Sequence, residues 1–382
     1  MNCGWNSKEN AMKRFFHIAL VIGVLLFLSM NCEQPAKSTS HDDAFSNDNL
    51  LTVGASDLKQ TVVEATLTAP MEQGKNVLWC GTFQLAWNET SALVGEDLHF
   101  DMESPIIAEL NKKAFTKDDL DNASYIALAG FVKDGIHQKI RQSLLEKFGG
   151  SAKPRYIPPE SLTPRPQDIV AYAYLFKNLE FAVPFERFDK PLRFGHGEVP
   201  VFGMGEFKLA HEEMARQVLI LNYNGPDDFV IELKTKSQGD RLILAKIQPK
   251  ASLSETIADV RIRSSSVEPQ TAIPGDELAI PKFNFDITRT YNEIEGATLV
   301  VKNPKVARDL QVMSAVQDIR FQMDEKGVKL KSESHMAFGC ARTPMPSHVM
   351  IFDKPFLVVL ERSNATAPYF AMWIDNPELL VP

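Results

Sequence analysis

Residues 311–356 read QVMSAVQDIRFQMDEKGVKLKSESHMAFGCARTPMPSHVMIFDKPF, and the fold turns on how this stretch alternates. From Val312 to Met323 it has the period of a half-buried strand. Val312, Ser314, Val316 and Asp318 fall on one face, and Met313, Ala315, Gln317, Ile319, Phe321 and Met323 on the other, mostly apolar, face. Asp324-Glu325-Lys326-Gly327 breaks the strand with a polar turn. Alternation then resumes, with Val328, Leu330, Ser332, Ser334, Met336 and Phe338 set against Lys329, Lys331, Glu333, His335 and Ala337. Gly339, Pro344 and Pro346 mark a loop. Val349–Phe352 and Phe356–Leu360 are apolar strands on either side of Asp353-Lys354-Pro355.

Working outward, the strand, the acidic turn with glycine, the long loop and Phe352-Asp353-Lys354-Pro355-Phe356-Leu357 resemble the C-terminal part of a serpin. Further matches follow in the family's order. Asn76-Val77-Leu78-Trp79 begins a strand that runs into a buried helix, with Cys80, Gly81 and Phe83 where serpins carry Ser-Pro and a later serine. Asp168–Phe176, Lys177 and Phe181-Ala182-Val183-Pro184-Phe185 resemble the family's strand, Phe-Lys-Gly, aromatic and Pro-Phe pattern. Tyr172 stands for the usual asparagine and Asn178 for the glycine. Val218–Tyr223, Asn224-Gly225 and Asp228–Leu233 form a hairpin pattern with an Asn-Gly turn. Glu277–Phe285 is similar to the Leu-Pro-Lys-Phe strand, and Tyr369–Pro377 to the closing strand with its Asn-Pro. The resemblance runs from Asn76 to Pro377.

Other segments are read from pattern alone. Residues 57–68 fit a helix or a strand. Residues 106–148 carry apolar positions at helical spacing and end at Gly149-Gly150. Residues 153–166 are a proline-rich loop, and Leu192–Leu209 suits a pair of strands around Gly195-His196-Gly197.

The chain has 382 residues, 44% of them hydrophobic, enough for a sizeable core, and its net charge of −8 argues against a nucleic-acid partner. Lys13-Arg14 followed by the apolar run Phe15–Met30 has the form of a secretory signal. Cys32, after Leu28-Ser29-Met30-Asn31, resembles a bacterial lipidation cysteine; the other reading is an ordinary cleaved signal with an incidental cysteine. The expected organisation is a signal over 1–31, a Ser-, Asp- and Asn-rich tether over 32–50, and a single domain over 51–382. The chain is then exported and anchored to the cell envelope through lipid, or extracellular. Cys80 sits in an apolar run as a small hydrophobe, and Cys80 and Cys340 lie too far apart in sequence to suggest a disulfide framework.

Enzymatic signatures are missing from the sequence. There is no Gly-x-Ser-x-Gly element, His211-Glu212 lacks the second histidine of a zincin helix, Gly203-Met204-Gly205 lacks the rest of a dinucleotide fingerprint, and the histidines have no metal-ligand spacing. Neither metal nor cofactor is expected.

The resemblance implies an α+β serpin-like fold with large mixed and antiparallel sheets, a helical N-terminal half and an exposed reactive-centre-type loop. It implies a hinge at Glu325, Gly327, Val328 and Leu330, and a shutter-like set at Asn76, Cys80, Tyr172 and Gln317, the last standing where the family has histidine. The family spacing puts the scissile bond at Ala341–Arg342, or one residue on at Arg342–Thr343, which suits an enzyme with an acidic specificity pocket. The implied partner is a serine (or cysteine) protease. Two functions follow: inhibition of a serine-type endopeptidase with Val328–Ser347 as bait, or a non-inhibitory serpin-fold binding or structural module. The large residues of Val328-Lys329-Leu330-Lys331, where inhibitory members have small ones, favour the second; the family's usual role favours the first.

Overall fold

Among the described residues, long apolar runs pair with one another. In the computed structural model, which describes residues 49–149, 157–205, 211–328 and 348–382, these runs build an eight-stranded sheet. It contains β1 (Asn76–Cys80), β8 (Phe356–Arg362) and β9 (Phe370–Ile374), with β9 central between the other two. Every residue of β1 and β9 is buried, so after Asn76 these strands are continuously apolar and lack the alternation of a one-faced strand. Val358 lies opposite Met372, and Met372 opposite Leu78. Asp240–Lys246, Asp228–Leu233, Val218–Gly225 and Gln270–Thr271 extend the sheet beyond β8, and Thr61–Glu64 closes its other edge, parallel to β1.

Four short strands, Val349–Ile351, Glu277–Pro281, Val201–Met204 and Glu186–Arg187, make a second sheet in that order. The remaining strands bear on function. β2 (Tyr125–Phe131) pairs antiparallel with β3 (Ile169–Leu175) along its whole length. β5 (Phe283–Thr290) pairs antiparallel with β6 (Val316–Met323), from Phe283 opposite Met323 to Thr290 opposite Val316. Leu51–Gly54 adds a parallel strand to the far edge of β5. Two-residue strands β4 (Leu179–Glu180) and β7 (Gly327–Val328) pair with each other, and two further short pairs, Leu192–Phe194 with Gly197–Val199 and His99–Phe100 with Leu299–Val300, stand apart.

Helix α1 (Thr82–Val94) packs against β2, β3 and β6. It ends where Gly95 adopts a left-handed conformation and returns its N–H to the Ser91 carbonyl. Helix α2 (Ile136–Phe148) lays Ile140, Leu144 and Phe148 over Ile126, Val170 and Tyr172. Helix α3 (Leu253–Ser265), capped by the Ser252 hydroxyl accepting from the Glu255 N–H, packs beside the hairpin Val218–Gly225/Asp228–Leu233.

The α+β class and the large mixed sheets agree with the sequence reading, and several spans do not. Residues 106–148 are not one helical region: Pro105–Asn111 and α2 are helical, but β2 lies between them. Its Tyr-Ile-Ala-Leu-Ala-Gly-Phe run fits a helical spacing by chance, and pairing with β3 decides the outcome. The N-terminal half is accordingly mixed. The strand expected from Val312 begins at Val316.

Candidate functional site

The two pairs β2–β3 and β5–β6 lie side by side without joining. Among the described residues, β3 has a ladder only with β2, and β6 only with β5. Each therefore turns one strand edge towards a seam, and a cavity of about 1070 Å³ lies along it. Ala171 and Ala173 line it from β3, Gln317 and Ile319 from β6, and Thr82 and Phe83 from α1.

One end of the seam is shut. After β6 the chain turns sharply, the Asp324 N–H donating to the Gly327 carbonyl (3.2 Å) and the Gly327 N–H to that of Asp324 (3.1 Å). It then runs as β7 antiparallel to β4, with Gly327 opposite Glu180 and Val328 opposite Leu179. The Phe181 and Phe185 N–H groups donate to the carbonyls of Lys326 (3.0 Å) and Glu325 (2.7 Å). Gly327 has φ +108°, and a Cβ there would stand 2.4 Å from the Leu179 carbonyl oxygen, so only glycine fits.

Glu325 pins this turn. Its carboxylate, 5% exposed, accepts from Lys282 Nζ (2.7 Å) and from Arg187 Nε. Burial pushes the carboxyl pKa up, but the hydrogen bonds from Lys282 and Arg187 outweigh it and hold the group below the usual glutamate range. Lys177, at the end of β3, makes a buried pair with Asp240 at 2.8 Å.

Midway along the seam Gln317 is fully engaged. Its Nε2 donates to the Cys80 carbonyl (2.9 Å) and the Thr82 hydroxyl (2.8 Å), and its Oε1 accepts from the Tyr291 hydroxyl (2.7 Å). Phe83 stacks on Tyr291 with ring centroids 3.9 Å apart. At the foot, Arg165, just ahead of β3, donates to Asp168 (2.8 Å) and to Asp309, in the segment that leads into β6.

Of the shutter-like residues, Cys80 and Gln317 come together. Asn76 sits instead at the end of β9, donating to Asn376 Oδ1 (3.0 Å) and accepting from the Asp375 and Asn376 N–H groups. Tyr172 packs under α2, not against Gln317, and burial raises its pKa. The seam centre is also more polar than the substitutions suggest, because Thr82 and Tyr291 supply hydroxyls. Nothing in the sequence signals that Thr82, Gln317 and Tyr291 meet, nor that Lys282 and Arg187 reach Glu325.

Of the hinge positions, Glu325, Gly327 and Val328 are described; Leu330 lies outside the described residues, as do Ala341, Arg342, Thr343 and Cys32. The chain re-enters at His348, whose N–H donates to Asp276 (2.9 Å) while its carbonyl accepts from the Glu277 N–H (3.0 Å). The segment after Val328 thus leaves from the end of the seam and returns to a different sheet. Among the described residues no cluster of His, Cys, Asp or Glu is arranged to hold a metal ion, and no helix is long and apolar enough to cross a membrane.

No family model and no curated protein matches the chain. Among solved structures it is similar in fold to Serpin48 of the insect Tenebrio molitor, at 14% identity over 80% of this chain and 92% of that one, with a TM-score of 0.44. It is likewise similar to Serpin-12 of Manduca sexta, a serine protease inhibitor, at 15% identity, 81% and 94% coverage and a TM-score of 0.45. A third likeness is to thyroxine-binding globulin in complex with thyroxine, at 13% identity, 79% and 93% coverage and a TM-score of 0.46.

Proposed function

We propose that this protein is a serpin-type inhibitor of serine endopeptidases that offers the segment after Gly327 as bait. The split sheet supports this most directly: two strand edges without ladder partners among the described residues flank a cavity, and Gly327, from which the segment departs, lies at the seam's closed end. A protease serine attacks the carbonyl of Ala341 or Arg342. The peptide bond breaks, the amine leaves with the C-terminal piece, and an acyl ester joins enzyme to loop. The freed strand then enters the seam from Val328 onwards and pairs with β3 and β6 together. Adjacent strands sit about 4.8 Å apart, so β3 and β6 come to lie about 10 Å apart. Two new ladders, at about 1 kcal/mol net per hydrogen bond, release on the order of 10 kcal/mol. Export and a lipid anchor at Cys32 would place this trap on the cell envelope.

The second reading is a non-inhibitory serpin-fold binding or structural module. The hydrogen bonds that tie Gln317 of β6 to Cys80 and Thr82 at the start of α1, and the bulky residues after Gly327, favour it, because each inserted side chain must find room in a sheet packed at near-crystalline density. Incubation with a panel of serine proteases separates the two. An SDS-resistant complex is expected for the inhibitor. Clean cleavage near Ala341–Thr343, with neither complex nor gain in thermal stability, would leave the second.

A further inference from the structure

We propose that the seam is also a binding site for a neutral, flat, largely apolar small molecule carrying one carbonyl acceptor, and that this ligand and an inserted strand exclude each other. Binding does not depend on the inhibitor reading; only the competition with insertion rests on it.

The cavity's volume, about 1070 Å³, is at the upper end of what small-molecule sites enclose. Its shape follows from side-chain size. Ala171 and Ala173 present only methyl groups from one face of β3, while Ile319 contributes a branched apolar wall from β6. On the α1 side Phe83, held by its stack on Tyr291, offers a half-buried aromatic surface. These elements suit a flat ring system.

Polarity narrows the ligand further. Gln317 has no hydrogen-bonding capacity left for a ligand at its amide nitrogen, since both N–H groups are used. Tyr172 differs. It is 8% exposed, lines the cavity, and no hydrogen bond to its hydroxyl forms among the described residues. With no protein partner among those residues, this hydroxyl is free to donate to an acceptor on a ligand in place of water. The charges along the seam argue for neutrality. Lys177 already faces Asp240, Arg165 faces Asp168 and Asp309, Asp318 accepts from the Thr288 hydroxyl, and Asp286 and Arg320 are likewise engaged, so a charged ligand would have to break existing contacts.

Such a ligand fills the space between β3 and β6 that an inserted strand needs. It therefore holds the intact molecule against insertion, as any molecule that binds only one of two states shifts the balance towards it.

The probe is Prodan, a neutral naphthyl ketone whose emission moves to the blue in apolar surroundings, titrated into the full chain. Saturable one-to-one binding is expected. Tyr172→Phe should weaken it roughly tenfold, the worth of one buried hydrogen bond. Ala171→Trp should abolish it by filling the seam. A synthetic peptide of residues 328–341 should displace the dye. Unsaturable binding, or equal affinity in the wild type and Tyr172→Phe, overturns the site; should Ala171→Trp not fold, Tyr172→Phe decides. Prodan and peptide bound together overturn the competition. Dye binding that follows these expectations in a chain forming no protease complex upholds the site and removes only the inhibitor.

Discussion

At the scale of single residues, Glu325 carries the most. Its two cationic partners hold the turn that ends β6 against the start of a different sheet. Glu325→Gln keeps the shape and removes the charge. Arg187 is 64% exposed, so solvent screens its share. Calorimetry should show a loss of about 1–2 kcal/mol. Because the folded carboxyl ionises more readily than the unfolded one, its contribution is present above the ordinary glutamate range and is lost as pH falls through and below it. Acid should therefore destabilise the wild type more than Glu325→Gln in that window; parallel pH profiles would contradict the assignment. Gln317 yields a second outcome. Gln317→Leu strands the Cys80 carbonyl and the Tyr291 hydroxyl, and should cost about 2–3 kcal/mol in chemical denaturation. Glu325 and Gly327 are legible in the sequence because they are neighbours in a recognisable order. Their partners, Lys282 and Arg187, are distant in the chain, and no local pattern encodes the meeting.

Among the elements, β7 depends on one backbone conformation. Gly327→Ala would drive a methyl group into β4 while demanding φ +108° of an L-residue. A cost of about 1–3 kcal/mol is expected, confined to this end of the seam. Hydrogen exchange at the Phe181 and Phe185 amides, which donate to Lys326 and Glu325, should quicken while that of β8 and β9 stays slow. Uniform exchange changes would show that the turn is no separate unit. Legibility here follows the physics of each strand. β6 has one buried face, so its alternation announces it, whereas β2 has apolar residues on both sides and reads equally well as helix. Leu253–Ser265 is weakly signalled in the sequence although Ser252 and Glu255 sit at capping positions, because its apolar face is narrow: Leu253, Ile257 and Val260.

For the whole molecule, the proposed inhibitor requires that the seam stay narrow until the bait segment is cut. Three ties bear on it: the β4–β7 ladder closes one end, Gln317 with Cys80 and Thr82 holds the middle of β6 to α1, which also packs on β3, and Arg165 with Asp309 crosses the foot. They differ in kind. The ladder and Gln317 are buried, and their loss destabilises the intact fold. Arg165 and Asp309 are 39% and 70% exposed, so their pair is worth at most about 1 kcal/mol. Yet it joins the segments that lead into β3 and β6, which must part before a strand can run the full length of the sheet. Asp309→Ala should thus leave the unfolding midpoint of the uncleaved protein almost unchanged. It should accelerate full insertion after cleavage by up to about fivefold, the rate equivalent of that 1 kcal/mol if the tie is broken in the transition state. The readout is the rate at which a protease-cleaved sample gains thermal stability. An unchanged rate would mean that the foot of the seam opens late, and that the Gln317 contacts set the barrier.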